Sequence, residues 1–121
     1  MQVMALIYSD GARWDVLSGE EREVVYDRYR AFAREAQEAG VMVGGNELGP
    51  TRDATTVRVR GDETLVTDGP YAAVKEALGG YFLLECETID EAVDWAARIP
   101  GAEHGAVEVR PVYVDPAGAA A

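Results

Sequence analysis

Residues 80–100, GYFLLECETIDEAVDWAARIP, change periodicity at one junction. GYFLLECE is an apolar run of strand length. Thr88 and Glu91 then stand in the S/T-x-x-E spacing of a capping box, where two side chains satisfy orphan amides at a helix start. IDEAVDWAARI reads as the helix, and Pro100-Gly101 stops it. AVEVRPVYV (106–114) follows as an alternating strand, so the C-terminal half is one β-α-β unit.

The N-terminal half echoes it. QVMALIY (2–8) is a first strand, and Ser18-Gly19-Glu20-Glu21 is a second capping box. Val25, Tyr29, Phe32, Ala36 and Ala39 follow on one helical face, and Gly40 ends the helix as a left-handed cap. VMVGGNEL (41–48) is a glycine-interrupted strand, expected to bulge at Gly44-Gly45. TTVRVR and TLVT flank Gly61-Asp62-Glu63 as a hairpin with a tight turn. The fold class predicted is α+β: a ferredoxin-like βαββαβ protomer with an extra β-hairpin. The domain is expected to span 1–114, with 115–121 as a flexible C-terminal tail.

At 121 residues the chain supports one core, and 48% hydrophobic residues argue against disorder. No apolar run approaches the roughly 20 residues of a membrane helix. The N-terminus has neither a basic flank nor a cleavage site. Net charge is −11 without a compensating Lys/Arg cluster, which disfavours nucleic acid as a partner. The single cysteine, Cys86, sits in an apolar run, reads as a structural thiol and fits a reducing, cytoplasmic compartment. No Cys/His spacing supports zinc, and neither a metal nor a cofactor is expected.

Period-two alternation assigns the strand faces. Val3, Ala5, Ile7, Phe82, Leu84, Cys86, Val107 and Val109 should pack under the helices. The opposite face then carries Met4, Leu6, Tyr8, Tyr81, Leu83, Glu85, Glu108, Arg110 and Val112. That face is too apolar for water and too charged to bury unpaired. Both problems are met by a homodimer whose sheets face each other across a polar-lined pocket or seam. A monomer with one wet sheet face is the plain alternative.

Several blocks resemble the YCII-related superfamily, in particular the bacterial group carrying a DGPF motif. They are ATTVRVR (54–60), LVTDGPY (65–71), KEALGGY (75–81), EAVDWAARIP (91–100) and VEVRPV (107–112), with Asp68-Gly69-Pro70-Tyr71 as the motif itself. The resemblance implies a ferredoxin-like protomer in a dimeric α/β barrel. It implies no particular reaction, and many genes of the group lie beside those for sigma factors. Two departures stand out. Ala73 occupies a position where relatives usually carry glutamate, and the first helix lacks the histidine that some relatives pair with an aspartate.

The candidate chemistry falls into three groups. Asp68, Tyr71, Lys75 and Glu76 belong to the motif segment; a plain turn or pocket-rim carboxylate, phenol and ion pair are the two readings. The double glycine 79–80 lacks phosphate-loop spacing and reads as a backbone device. Glu85, Glu108 and Arg110 share the open face with Tyr8 and Tyr81. They form either an ion-pair network or a site where arginine binds a ligand carboxylate and a glutamate transfers a proton. His104, the only histidine, reads as solvent-exposed or as a general base. The leading expectation is a homodimer with a small-organic-ligand pocket between its sheets. Alternatives are a cofactor-independent acid/base enzyme, with Glu108, Arg110, His104 and Asp68 as catalytic candidates, and a structural accessory of a sigma factor.

Overall fold

The computed structural model describes residues 1–118 of the chain. Its elements are β1 (Gln2–Asp10), α1 (Gly11–Asp15), α2 (Gly19–Glu38), β2 (Met42–Glu47), β3 (Thr55–Arg60), β4 (Glu63–Asp68), β5 (Glu76–Glu85), α3 (Ile89–Ala96) and β6 (Ala106–Pro111), with short 3₁₀ turns at Thr51–Asp53 and Pro100–Glu103. With β3–β4 set aside, α2 and α3 each link two strands of a four-stranded antiparallel sheet ordered β2-β5-β1-β6. The chain is thus α+β, in the split β-α-β order that the two capping boxes predicted. No helix among the described residues is long and apolar enough to cross a membrane.

Both helix starts are fixed locally. Ser18 Oγ accepts from the Glu21 amide at 3.1 Å while Glu21 Oε1 accepts from the Ser18 amide at 2.9 Å. Those bonds hold the Glu21 carboxyl below its ordinary range. The second box is only half formed. Thr88 Oγ1 accepts from the Glu91 amide, but the Glu91 carboxylate accepts from the Glu87 amide. A residue one place earlier in the chain thus takes the reciprocal bond. Helix α3 also ends at Ala96, four residues before Pro100, where the Arg98 and Ile99 amides donate three residues back, to the Trp95 and Ala96 carbonyls. Gly40 has φ 73° after α2, as a left-handed cap requires. Helix α1, capped by the Asp10 carboxylate, has no counterpart in the sequence reading.

The core lies between the helices and one face of the sheet. Val3, Ala5 and Leu84 are fully buried, with Ile7, Phe32, Ala36, Cys86, Ala92 and Ile99 around them. Phe32 packs on Phe82 with ring centroids 5.0 Å apart. Ala39, counted on the helix face by spacing, is the exposed cap residue. The strands approach closely where side chains are missing. A Cβ on Gly45 would lie 2.5 Å from the Phe82 ring, and one on Gly105 would lie 2.0 Å from the Tyr8 carbonyl oxygen.

Two bulges interrupt the ladders. One, between Met42 and Gly44, makes Val43 the extra residue of β2, one place before the expected glycine pair. The other lies between Ile7 and Tyr8 of β1 and gives β5 the extra Gly79. Strand β5 begins at Glu76, so the double glycine lies inside the strand, Gly80 in the ladder and Gly79 as the bulge residue; a Cβ on Gly80 would meet the Asn46 carbonyl at 2.9 Å. The β3–β4 hairpin is a separate two-stranded sheet turning at Gly61 (φ 59°). In the expected tail, residues 115–118 form a turn closed by Asp115, whose side chain accepts from Ala117 N; residues 119–121 lie outside the described residues.

Candidate functional site: the uncovered sheet face

Because the helices of the core pack on the Val3–Ala5–Ile7 side, no helix among the described residues layers the opposite sheet face. Strand register defines what that face displays. One row across the sheet reads Asn46, Tyr81, Leu6, Glu108 from β2 to β6. The next reads Gly44, Leu83, Met4, Arg110. Leu6, Met4, Leu83, Tyr81, Tyr8 and Val112 are half-buried, whereas Asn46, Glu108 and Arg110 are exposed. The face therefore has an apolar centre flanked by polar groups on both outer strands. Neighbouring strands stand about 4.8 Å apart, so each row spans roughly 14 Å.

The hydrogen bonds on this face differ from an ion-pair network. The Tyr8 hydroxyl donates to Glu108 Oε1 at 3.3 Å. Asn46 Nδ2 donates to the Tyr81 hydroxyl oxygen at 3.0 Å. Glu85, at the sheet's far end, lies 3.6 Å from the N-terminal ammonium. Arg110 joins no ion pair among the described residues. Thus Glu85, Glu108 and Arg110 share a face within one protomer but do not pair with one another. A Cβ on Gly44 would meet nothing within 4 Å, so the row ending at Arg110 is open at its other end.

The motif segment is built differently. Asp68 ends β4, paired in register with Thr55. Gly69, at φ 106°, adopts a backbone conformation that L side chains rarely occupy. Its amide donates to the Ala54 carbonyl at 2.7 Å and its carbonyl accepts from Thr56 Oγ1 at 2.8 Å. The Asp-Gly-Pro turn thereby ties the base of the hairpin. Tyr71 is 76% exposed, and the Arg58 guanidinium stands 5.1 Å from its ring centroid. Lys75 and Glu76 are exposed, with Glu76 in register with Asp10. His104 is exposed after the 3₁₀ turn that precedes β6.

Sequence reasoning missed Asn46. Its parity on β2 is hidden by the Val43 bulge, and only the register with Tyr81 reveals which face it shares. A concavity of about 370 Å³ lies on the helix side between α3 and β6, away from the bare face. Its lining (Val93, Ala96, Ala97, Ala102, Val107, Val109) offers no polar side chain to orient a ligand. Among the described residues no cluster of three or more His, Cys, Asp or Glu is placed to hold a metal.

The fold and face define an α+β domain with a one-sided antiparallel sheet and a mixed apolar–polar surface on its bare side. Comparison with known proteins places the chain more closely. Residues 1–114 match the YCII-related domain. Over 114 residues the chain is 39% identical to an uncharacterized protein of Rhizobium meliloti (strain 1021), covering 93% of this chain and 92% of that one. The chain belongs to the YCII-related family.

Proposed function

We propose that this protein is a DGPF-type member of the family that forms a homodimer through the bare sheet face, completing a dimeric α/β barrel with a small-molecule cleft between the sheets. One observation carries the reading: Met4, Leu6, Tyr8, Tyr81, Leu83 and Val112 form a continuous apolar field with no covering layer, edged by Asn46, Glu108 and Arg110. Exposed apolar fields of this kind mark interaction surfaces. Their polar margins are what a ligand site needs for orientation. The domain acting is the 1–114 unit, and its setting is cytoplasmic.

The Tyr8–Glu108 bond supports a second reading on the same surface. A carboxylate with a phenol donor, one row from a guanidinium, has the components of cofactor-independent acid/base chemistry. Sedimentation equilibrium tests the assembly, and native mass spectrometry of protein purified without refolding tests the cleft. The expected result is twice the chain mass with a retained small molecule. A monomer at micromolar concentration overturns the dimer.

A further inference from the structure

On the bare sheet face Arg110 has neither an ion pair nor a side-chain hydrogen bond among the described residues, whereas Glu108 accepts from Tyr8. The chain carries 22 acidic and 11 basic residues, so carboxylate partners are abundant. Arg28, Arg30, Arg52 and Arg98 have one, whereas Arg13, Arg22, Arg34, Arg58, Arg60 and Lys75 have none among the described residues but stand elsewhere in the fold. Arg110 has none among the described residues, although Glu108 lies two residues away on the same face. Tyr8 engages that carboxylate instead. Beside Arg110 in register are Met4 and then Leu83, and the row ends at Gly44, where no side chain stands. The next row places the Asn46–Tyr81 hydrogen-bonded pair beside that open end.

We propose that this row binds an amphipathic organic monocarboxylate: its carboxylate on Arg110, its apolar body over Met4 and Leu83, and a hydrogen-bonding far end beside Tyr81 and Asn46. The inference rests on reading the bare face as the ligand surface, and it adds the ligand's chemical class. Arginine presents a planar fork that matches a carboxylate with two parallel hydrogen bonds. Met4 and Leu83 offer only apolar contact, so the body is aromatic or aliphatic. The span from β6 towards β5 and β2 sets a length of roughly 10–14 Å from the strand spacing. A second negative charge is disfavoured by Glu108 beside the site and by a net charge of −11. A single anionic group is therefore favoured over polyphosphates and dicarboxylates.

The test uses the full chain and three probes in ¹⁵N NMR titrations: 4-hydroxycinnamate, its uncharged amide, and cinnamate. The acid should bind at least tenfold more tightly than the amide, with shifts centred on the Met4, Leu83 and Arg110 amides. Cinnamate, lacking the far hydroxyl, should bind about threefold to tenfold more weakly than 4-hydroxycinnamate. Arg110→Gln should bring the acid down to the level of the amide without altering oligomeric state, and Arg110→Lys should fall between. Equal binding of acid and amide, no binding of the acid at millimolar concentration, or shifts confined to the Val93–Val107 groove overturns the proposal. So does dissociation of a wild-type dimer by Arg110→Gln, which would make Arg110 an ion-pair partner for a second copy. A monomeric wild type that still discriminates acid from amide through Arg110 would sink the dimer and leave this site standing. A dimer that fails to discriminate would do the reverse.

Discussion

The Tyr8 hydroxyl reaches Glu108 Oε1 at 3.3 Å across the β1–β6 ladder, flanking Leu6, which lies in register with both Glu108 and Tyr81. Leu6 is thus the centre of the bare face while its neighbours Ala5 and Ile7 are core. Leu6→Lys should leave the protomer folded, since a half-exposed lysine stem lies along apolar surface with its ammonium in water. In a face-to-face dimer the same ammonium would be taken out of water, a cost that pairing with Glu108, its register neighbour, offsets only in part. The expected outcome is a halved mass in sedimentation velocity with an unchanged far-UV circular dichroism spectrum. A Leu6→Lys protein that keeps the dimeric mass would move the interface elsewhere.

Gly44 and Gly105 give opposite expectations for the same substitution, and neither has positive φ. A Cβ on Gly105 would stand 2.0 Å from the Tyr8 carbonyl oxygen and 3.2 Å from Ser9 Cα, both backbone atoms that move only with β1. Gly105→Ala should cost about 2 kcal/mol or more in urea unfolding, in the range of overpacked interiors. A Cβ on Gly44 meets nothing within 4 Å, so Gly44→Ala should change stability by no more than about 0.5 kcal/mol. Similar losses at both positions would mean that strand propensity, not close approach, governs these glycines.

The sequence reading succeeded where alternation runs unbroken. Val3, Ala5 and Ile7 face the helices, and so do Leu84, Val107 and Val109, because each strand keeps its period through those positions. It failed where one extra residue changes parity, as Val43 does before Asn46. The extent of β5 was also hidden. The sequence reading starts that strand at Gly80, yet it runs back to Glu76, and the missing side chain of Gly80 lets β2 approach. The partner chosen by Glu108 depends on where the Tyr8 hydroxyl falls across the strand pair. No spacing along one chain reports that distance.

The β3–β4 hairpin should be the least protected part of the sheet structure. Its ladder runs from Thr55↔Asp68 to Arg60↔Glu63 without one buried residue. Val57, Val59 and Val66 are 61%, 60% and 63% exposed. A two-stranded ribbon is marginal in water, and the bonds from Gly69 to residues 54 and 56 close the ribbon's own base without joining it to the four-stranded sheet. Hydrogen exchange of amides 55–68 is expected to run at least about a hundredfold faster than that of Val3 to Ile7. Protection equal to the core strands would show that another surface, such as a second copy, covers those valines.

Cys86 links the core to alkaline pH. Its side chain is buried beside Val3 and Leu84, and burial, followed by the negative charge of Glu91, pushes its thiol pKa above the ordinary 9.0. The thiol is therefore protonated at neutral pH and lacks the thiolate that reacts. Ellman's reagent should modify the folded protein far more slowly than the urea-unfolded chain at pH 7.5. The same shift has a defined effect on stability. The unfolded thiol ionises near 9.0 while the folded one resists, so the contribution is complete below that pH and is lost as pH rises through the folded pKa. Urea unfolding from pH 8 to 10.5 should show an alkaline decline that is shallower in Cys86→Ala, whatever the absolute loss from the cavity. Rapid native labelling at pH 7.5, or identical alkaline slopes in the two proteins, would mean that the thiol is reached by water and does not contribute to that limb.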